Sequence, residues 1–130
     1  MIIIELEGMF GDYEIRSSVS KSVFIALHKP SNNFVAIKKV SADNFGDEEF
    51  KLICEEITLD LEHKHIIKIL ASFVKDLDVH VVYPFYCFGS CKEAMKNYFF
   101  AGFPEIIASL IVRDVLQALE YLHSCGIIHR

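Results

Sequence analysis

Apolar and polar positions along this chain predict a strand-rich first part and a helical second part. Residues 2–7 begin with an apolar, β-branched run that reads as a strand. Residues 8–12, bounded by Gly8 and Gly11-Asp12, read as a turn. Residues 13–27 are mixed, with a serine-rich centre (Ser17, Ser18, Ser20, Ser22) and a strand-like end over 23–27. Residues 29–33 combine Pro30 with Asn32 and Asn33, a strong turn signal, and 34–40 follow as a strand. The first forty residues therefore predict an antiparallel meander.

A polar run over 41–47 opens a helix over roughly 48–61, where Phe50, Ile53, Ile57 and Leu61 recur at helical spacing. Residues 66–74 and 79–83 read as two further strands joined by a tight turn at 75–78. At Pro84 the pattern changes. Residues 85–90 form a connector, 91–98 a short helix and 105–124 a long one. Ile107, Leu110, Ile111, Val115, Ala118, Leu119 and Leu122 share one face of the long helix. Pro104 marks its start and Gly126 its end. Five strands with one helix after the third, then a connector and helices, form an α+β pattern in two lobes. The boundaries fall at 1–83, 84–90 and 91–130.

Composition narrows the function classes. Net charge is −5, which gives no basic footprint for nucleic acid, although Lys38 and Lys39 could hold a phosphate. No apolar run reaches 18 residues, so no membrane span is expected, and the acidic residue at Glu5 argues against a signal peptide. Cys54, Cys87, Cys91 and Cys125 lack CxxC spacing and read as free thiols. Cys87 and Cys91 with His63 and His65 match no structural zinc spacing. His63 and His65 read as residues packed beyond the first helix, and His123 as structural.

Several short motifs occur in a fixed order. V-A-I-K occupies residues 35–38, H-K-H-I-I residues 63–67, and Y-L-H-S-C-G-I-I-H-R residues 121–130. Together they resemble the first half of a protein kinase: the third strand, the end of helix C, and the approach to the catalytic loop. The resemblance implies a five-stranded antiparallel N-lobe with helix C, plus helices D and E of an incomplete helical C-lobe. C-F-G-S-C-K-E-A at 87–94 and Y-F-F-A-G-F at 98–103 resemble, more narrowly, the sterile-twenty-related adaptor pseudokinases.

The kinase resemblance assigns roles to individual residues. Lys38 would contact nucleotide phosphates and pair with a helix C glutamate. Glu56 is the choice for that partner, but counting back from His63 places Cys54 there, and Glu55 lies between. Adjacent helix positions are about 100° apart, so at most one faces Lys38. Lys39 should lie on the opposite sheet face, exposed. Ala36 would line the adenine site, with Tyr83 as gatekeeper and Pro84 and Tyr86 supplying backbone contacts. Pro84 lacks an N–H, but the adenine contacts do not use it.

The glycine-rich loop departs from the pattern. Its three glycines would fall at Arg16, Ser18 and Lys21; Gly8 and Gly11 form a G-x-x-G remnant that is too far upstream unless the first hairpin is lengthened. Without glycine, the approach of backbone N–H groups to phosphate should be poor. His129 and Arg130 align with the H-R of the catalytic loop, and the catalytic Asp, metal-binding Asn and D-F-G motif are not in the chain. No catalytic or metal residue is therefore assigned. The narrower resemblance implies an adaptor that holds ATP without turnover and activates a serine/threonine kinase of the liver tumour-suppressor type, with an armadillo-repeat scaffold as third partner. It places the protein in the cytoplasm and, secondarily, the nucleus. The rival reading is a truncated sterile-twenty-like serine/threonine kinase.

Overall fold

β-branched and aromatic residues dominate the segments that pair into a single antiparallel sheet. The computed structural model describes residues 11–57 and 59–129, and of Glu56 the backbone alone. The predicted strand over 2–7 and the residues Gly8 to Phe10 lie outside the described residues. The sheet contains β1 (Tyr13–Ser18), β2 (Val23–His28), β3 (Asn33–Ser41), β4 (Ala71–Lys75) and β5 (Asp78–Pro84), in the order β1-β2-β3-β5-β4. The helices are α1 (Asp47–Ile57), α2 (Cys91–Asn97) and α3 (Glu105–Ser124), with one 3-10 turn at Ala42–Asn44.

Strand alternation divides the sheet into two apolar faces. On one, Ala26, Val35, Ile37, Phe73 and Val82 are buried together, with Tyr13 packed against them. On the other, Val40, Val79 and Val81 are covered by Phe50, Ile53, Cys54 and Ile57 of α1. These four α1 positions recur at i, i+3, i+4 and i+7, which places them on one helical stripe.

Three elements differ from the sequence reading. The first arm of the β1–β2 hairpin is Tyr13–Ser18, a segment read as mixed, and its register shifts between Ile15 and Ser17. That bulge breaks the period-2 pattern. Helix α1 spans Asp47–Ile57 and does not reach Leu61, since 59–61 are not helical. Strand β4 starts only at Ala71 rather than at residue 66. The Ile66 N–H turns back onto the His63 carbonyl, and Leu70 is the first residue to bond the neighbouring strand, at Val82.

The chain divides into two compact units, Met1–Asp60 with Lys68–Phe85, and Leu61–Ile67 with Tyr86–Arg130. Leu61–Ile67 thus groups with the helices rather than with the strands beside it in sequence. In this second unit, α2 begins with a reciprocal cap. The Ser90 hydroxyl accepts the Glu93 N–H, and the Glu93 carboxylate accepts the Ser90 N–H. Gly89 is in the left-handed region at φ +71°, and a Cβ there would meet the Glu93 carboxylate at 2.5 Å, so the cap requires glycine. Helix α3 matches its predicted bounds, with Pro104 at the N-cap and Gly126 at φ +74° beyond its end. Among the described residues no helix is long and apolar enough to cross a membrane, and all four cysteines are free.

Candidate functional site

Strand β3 sets the geometry of the site. Its residues alternate between the two sheet faces, so Ala36 and Lys38 fall on the α1-covered face with Val40, while Lys39 falls on the other. Ala36 sits between Ile25 of β2 and Tyr83 of β5. Lys38 lies opposite Val81 and is exposed. Its neighbour Lys39 is not simply solvated, as the sequence suggested. It forms an ion pair with Asp78 across the strands, and Asp78 is largely covered. Hydrogen bonds from Lys39 and from the Ser41 hydroxyl hold the Asp78 carboxyl below the usual range.

Lys38, Ile53, Ile57, Val81 and Tyr83 line a cavity of about 470 Å³ between α1 and the sheet. Tyr83 is half-buried here, and burial raises its phenol pKa. Among the described residues, no carboxylate lies within ion-pair distance of Lys38. The side chain of Glu56, chosen from sequence as its partner, lies outside the described residues. Of the other two candidates, Cys54 packs on the Val40–Val79–Val81 cluster, and Glu55 is exposed with Lys51 3.9 Å from its carboxylate. The thiol therefore occupies the sheet-facing side of α1.

The remaining predicted residues divide between the units. Pro84 closes β5 opposite Val35, on the face away from Lys38. Tyr86 belongs to the second unit, where it is exposed and its carbonyl accepts the Gly89 N–H at 3.2 Å. The structure therefore brings together Ala36, Lys38 and Tyr83 within the first unit.

The β1–β2 loop is the feature that sequence reasoning only half found. It occupies the position of the expected glycine loop and is closed upon itself. The N–H groups of Val19 and Ser20 donate to the Val23 carbonyl at 2.9 and 3.2 Å. Those of Ser22 and Val23 donate to the Ser20 hydroxyl oxygen at 3.3 and 3.1 Å. The Ser18 hydroxyl donates to the Ser20 carbonyl at 2.7 Å. Serine hydroxyls compete for local backbone groups in this way, so the serine-rich composition was the available signal.

With this geometry in place, the relationship to known proteins can be read. The protein kinase domain profile matches residues 17–130. The chain belongs to the protein kinase domain family. Its five-stranded sheet and α1 are the N-lobe and helix C of that domain, and α2 and α3 begin the C-lobe. This kinase domain is 38% identical over 124 residues to MAP3K epsilon protein kinase 2 of Arabidopsis thaliana, covering 94% of the chain and 9% of that protein. It is 27% identical over 128 residues to STE20-related kinase adapter protein alpha of Mus musculus, covering 92% of the chain and 30% of the adapter. The Gallus gallus adapter is 30% identical over 110 residues, covering 83% of the chain and 28% of the adapter. The chain thus spans under a third of each of these relatives.

Proposed function

We propose that this protein is a pseudokinase adaptor, which binds a partner serine/threonine kinase and shifts it toward its active state. The observation that carries this reading is the β1–β2 loop. A phosphoryl-transfer enzyme positions its phosphates with backbone donors and a lysine–glutamate pair. Here the loop donors are engaged internally, and Cys54 packs on the sheet from α1. Similarity to the STE20-related kinase adapters points the same way. On that basis the partner is a kinase of the liver tumour-suppressor type, held with an armadillo-repeat scaffold, in the cytoplasm and nucleus. ATP would serve as a bound stabiliser of the activating conformation, contacting Lys38, Ala36, Tyr83 and Pro84 of the first unit, without turnover.

A second reading, an active serine/threonine kinase, draws support from the 38% identity to MAP3K epsilon protein kinase 2 and from the V-A-I-K strand. One assay separates them. The purified protein is given radiolabelled ATP and a generic protein substrate, and a candidate partner kinase is assayed with and without it. The adaptor reading expects no transfer by the protein and a several-fold rise in partner activity. Transfer that disappears in Lys38→Met assigns the second reading.

A further inference from the structure

We infer that this N-lobe recognises the nucleoside part of a nucleotide and gains almost nothing from its phosphates. The inference rests on the nucleotide-binding reading above and specifies which part of the ligand is recognised. Backbone recognition of a phosphate chain needs a row of N–H groups facing outward, which is why glycine is favoured at such loops. Of the five amides from Val19 to Val23, four donate inside the loop. The Ser20 hydroxyl takes two of them, and the Ser18 hydroxyl fastens the Ser20 carbonyl from the other side. The loop is tied to the sheet as well, because the Lys39 N–H donates to the Ser22 carbonyl at 2.7 Å. A phosphate would have to break these bonds to reach four of the five amides.

Side-chain charge does not replace the missing donors. Lys21 and Lys38 are both exposed, where a single ion pair in water contributes little. The chain carries a net charge of −5, so its long-range field disfavours an additional polyanion. The apolar side of the site is intact: Ala36 lies between Ile25 and Tyr83, a surface suited to a flat ring. Successive phosphates on adenosine should therefore add almost nothing to affinity.

The test is calorimetric titration of the whole chain with adenosine, AMP, ADP and ATP, each with and without Mg²⁺. The expected result is four dissociation constants within about tenfold of one another, with Mg²⁺ changing none by more than that. ATP binding more than about tenfold tighter than adenosine overturns the inference and leaves nucleotide binding intact. No binding of any of the four overturns the nucleotide reading and this inference with it. Ser20→Gly, in an exposed loop, provides the causal control. It should raise the ATP-over-adenosine ratio, and an unchanged ratio shows that the Ser20 closure is not what excludes phosphate.

Discussion

The imidazole of His63 stacks on the phenol ring of Tyr121, with centroids 5.1 Å apart and planes 17° from parallel. The Tyr121 hydroxyl oxygen also accepts the Glu62 N–H at 3.3 Å. One aromatic side chain of α3 thus holds two consecutive residues of the segment that follows α1. Replacing Tyr121 with alanine should cost about 2–3 kcal/mol of unfolding free energy through lost ring contacts. Tyr121→Phe should cost about 0.5–1 kcal/mol, since only the hydroxyl goes. Urea denaturation measures both, and the Glu62 amide should exchange faster in each variant. An unchanged denaturation midpoint in Tyr121→Ala would show the stack to be incidental.

Acid should weaken the N-lobe in two stages. Burial holds the His80 imidazole below its usual pKa, so in the unfolded chain it takes a proton first. Stability is therefore full above about pH 6.5 and falls as pH drops below it. Asp78 has a depressed carboxyl pKa, chiefly from Lys39 and Ser41, so its contribution is present above the usual carboxylate value and lost as pH falls below it. His80→Phe preserves the stack that His80 makes with Phe73 at 5.3 Å and should flatten the first stage only. Asp78→Asn should flatten the second and, by removing a charge that offsets the desolvation of His80, deepen the first. Melting temperatures recorded from neutral to acid pH decide both.

The β4–β5 turn stores backbone strain. Asp76 and Leu77 have φ of +51° and +68°, the left-handed pair of a type I′ hairpin turn. Leucine is costly there, by roughly 1–2 kcal/mol, and its side chain is 85% exposed, so burial offsets little of that. Leu77→Gly creates the Asp-Gly pair this turn favours and should raise stability by about 1 kcal/mol. A lower melting temperature in Leu77→Gly would contradict the strain.

Two adjacent residues of β3 should respond oppositely to truncation. Ile37 is fully buried among Ala26, Val35, Phe73 and Val82, so Ile37→Ala should cost about 2–5 kcal/mol. Lys38 is exposed, and Lys38→Ala should change stability by less than about 0.5 kcal/mol. Equal destabilisation by both would mean that Lys38 is part of the packing.

Much of this architecture is written in local patterns. Helix α3 shows an apolar stripe with Pro104 and Gly126 at its ends, and β3 carries its alternation plainly enough to place Lys38 and Lys39 on opposite faces. What escaped depends on contacts distant in sequence. Ile66, Ile67 and Ile69 have strand composition, yet 61–67 is drawn into the second unit by Tyr121 and by Asp114, whose carboxylate lies 3.6 Å from His65. β1 was obscured by its bulge, where Arg16 interrupts the alternation. In the candidate site, Ala36, Lys38 and Tyr83 could be named because strand register carries them. The role of Ser20 could not, since composition shows a serine cluster but not which hydroxyl turns inward. Likewise, three consecutive residues of α1 competed for one role, and only the packing puts Cys54 against the sheet.

The closure made by Ser20 also constrains how this sequence could change over generations. A glycine gained at position 18 or 21 would enter a loop whose amides Ser20 still occupies. Loss of Ser20 alone would release the Ser22 and Val23 amides. The order of the two changes therefore matters, since a glycine at 18 or 21 gains little until Ser20 has gone. Such epistasis makes Ser20 count for more than the missing glycines, because only its loss gives selection an improving first step.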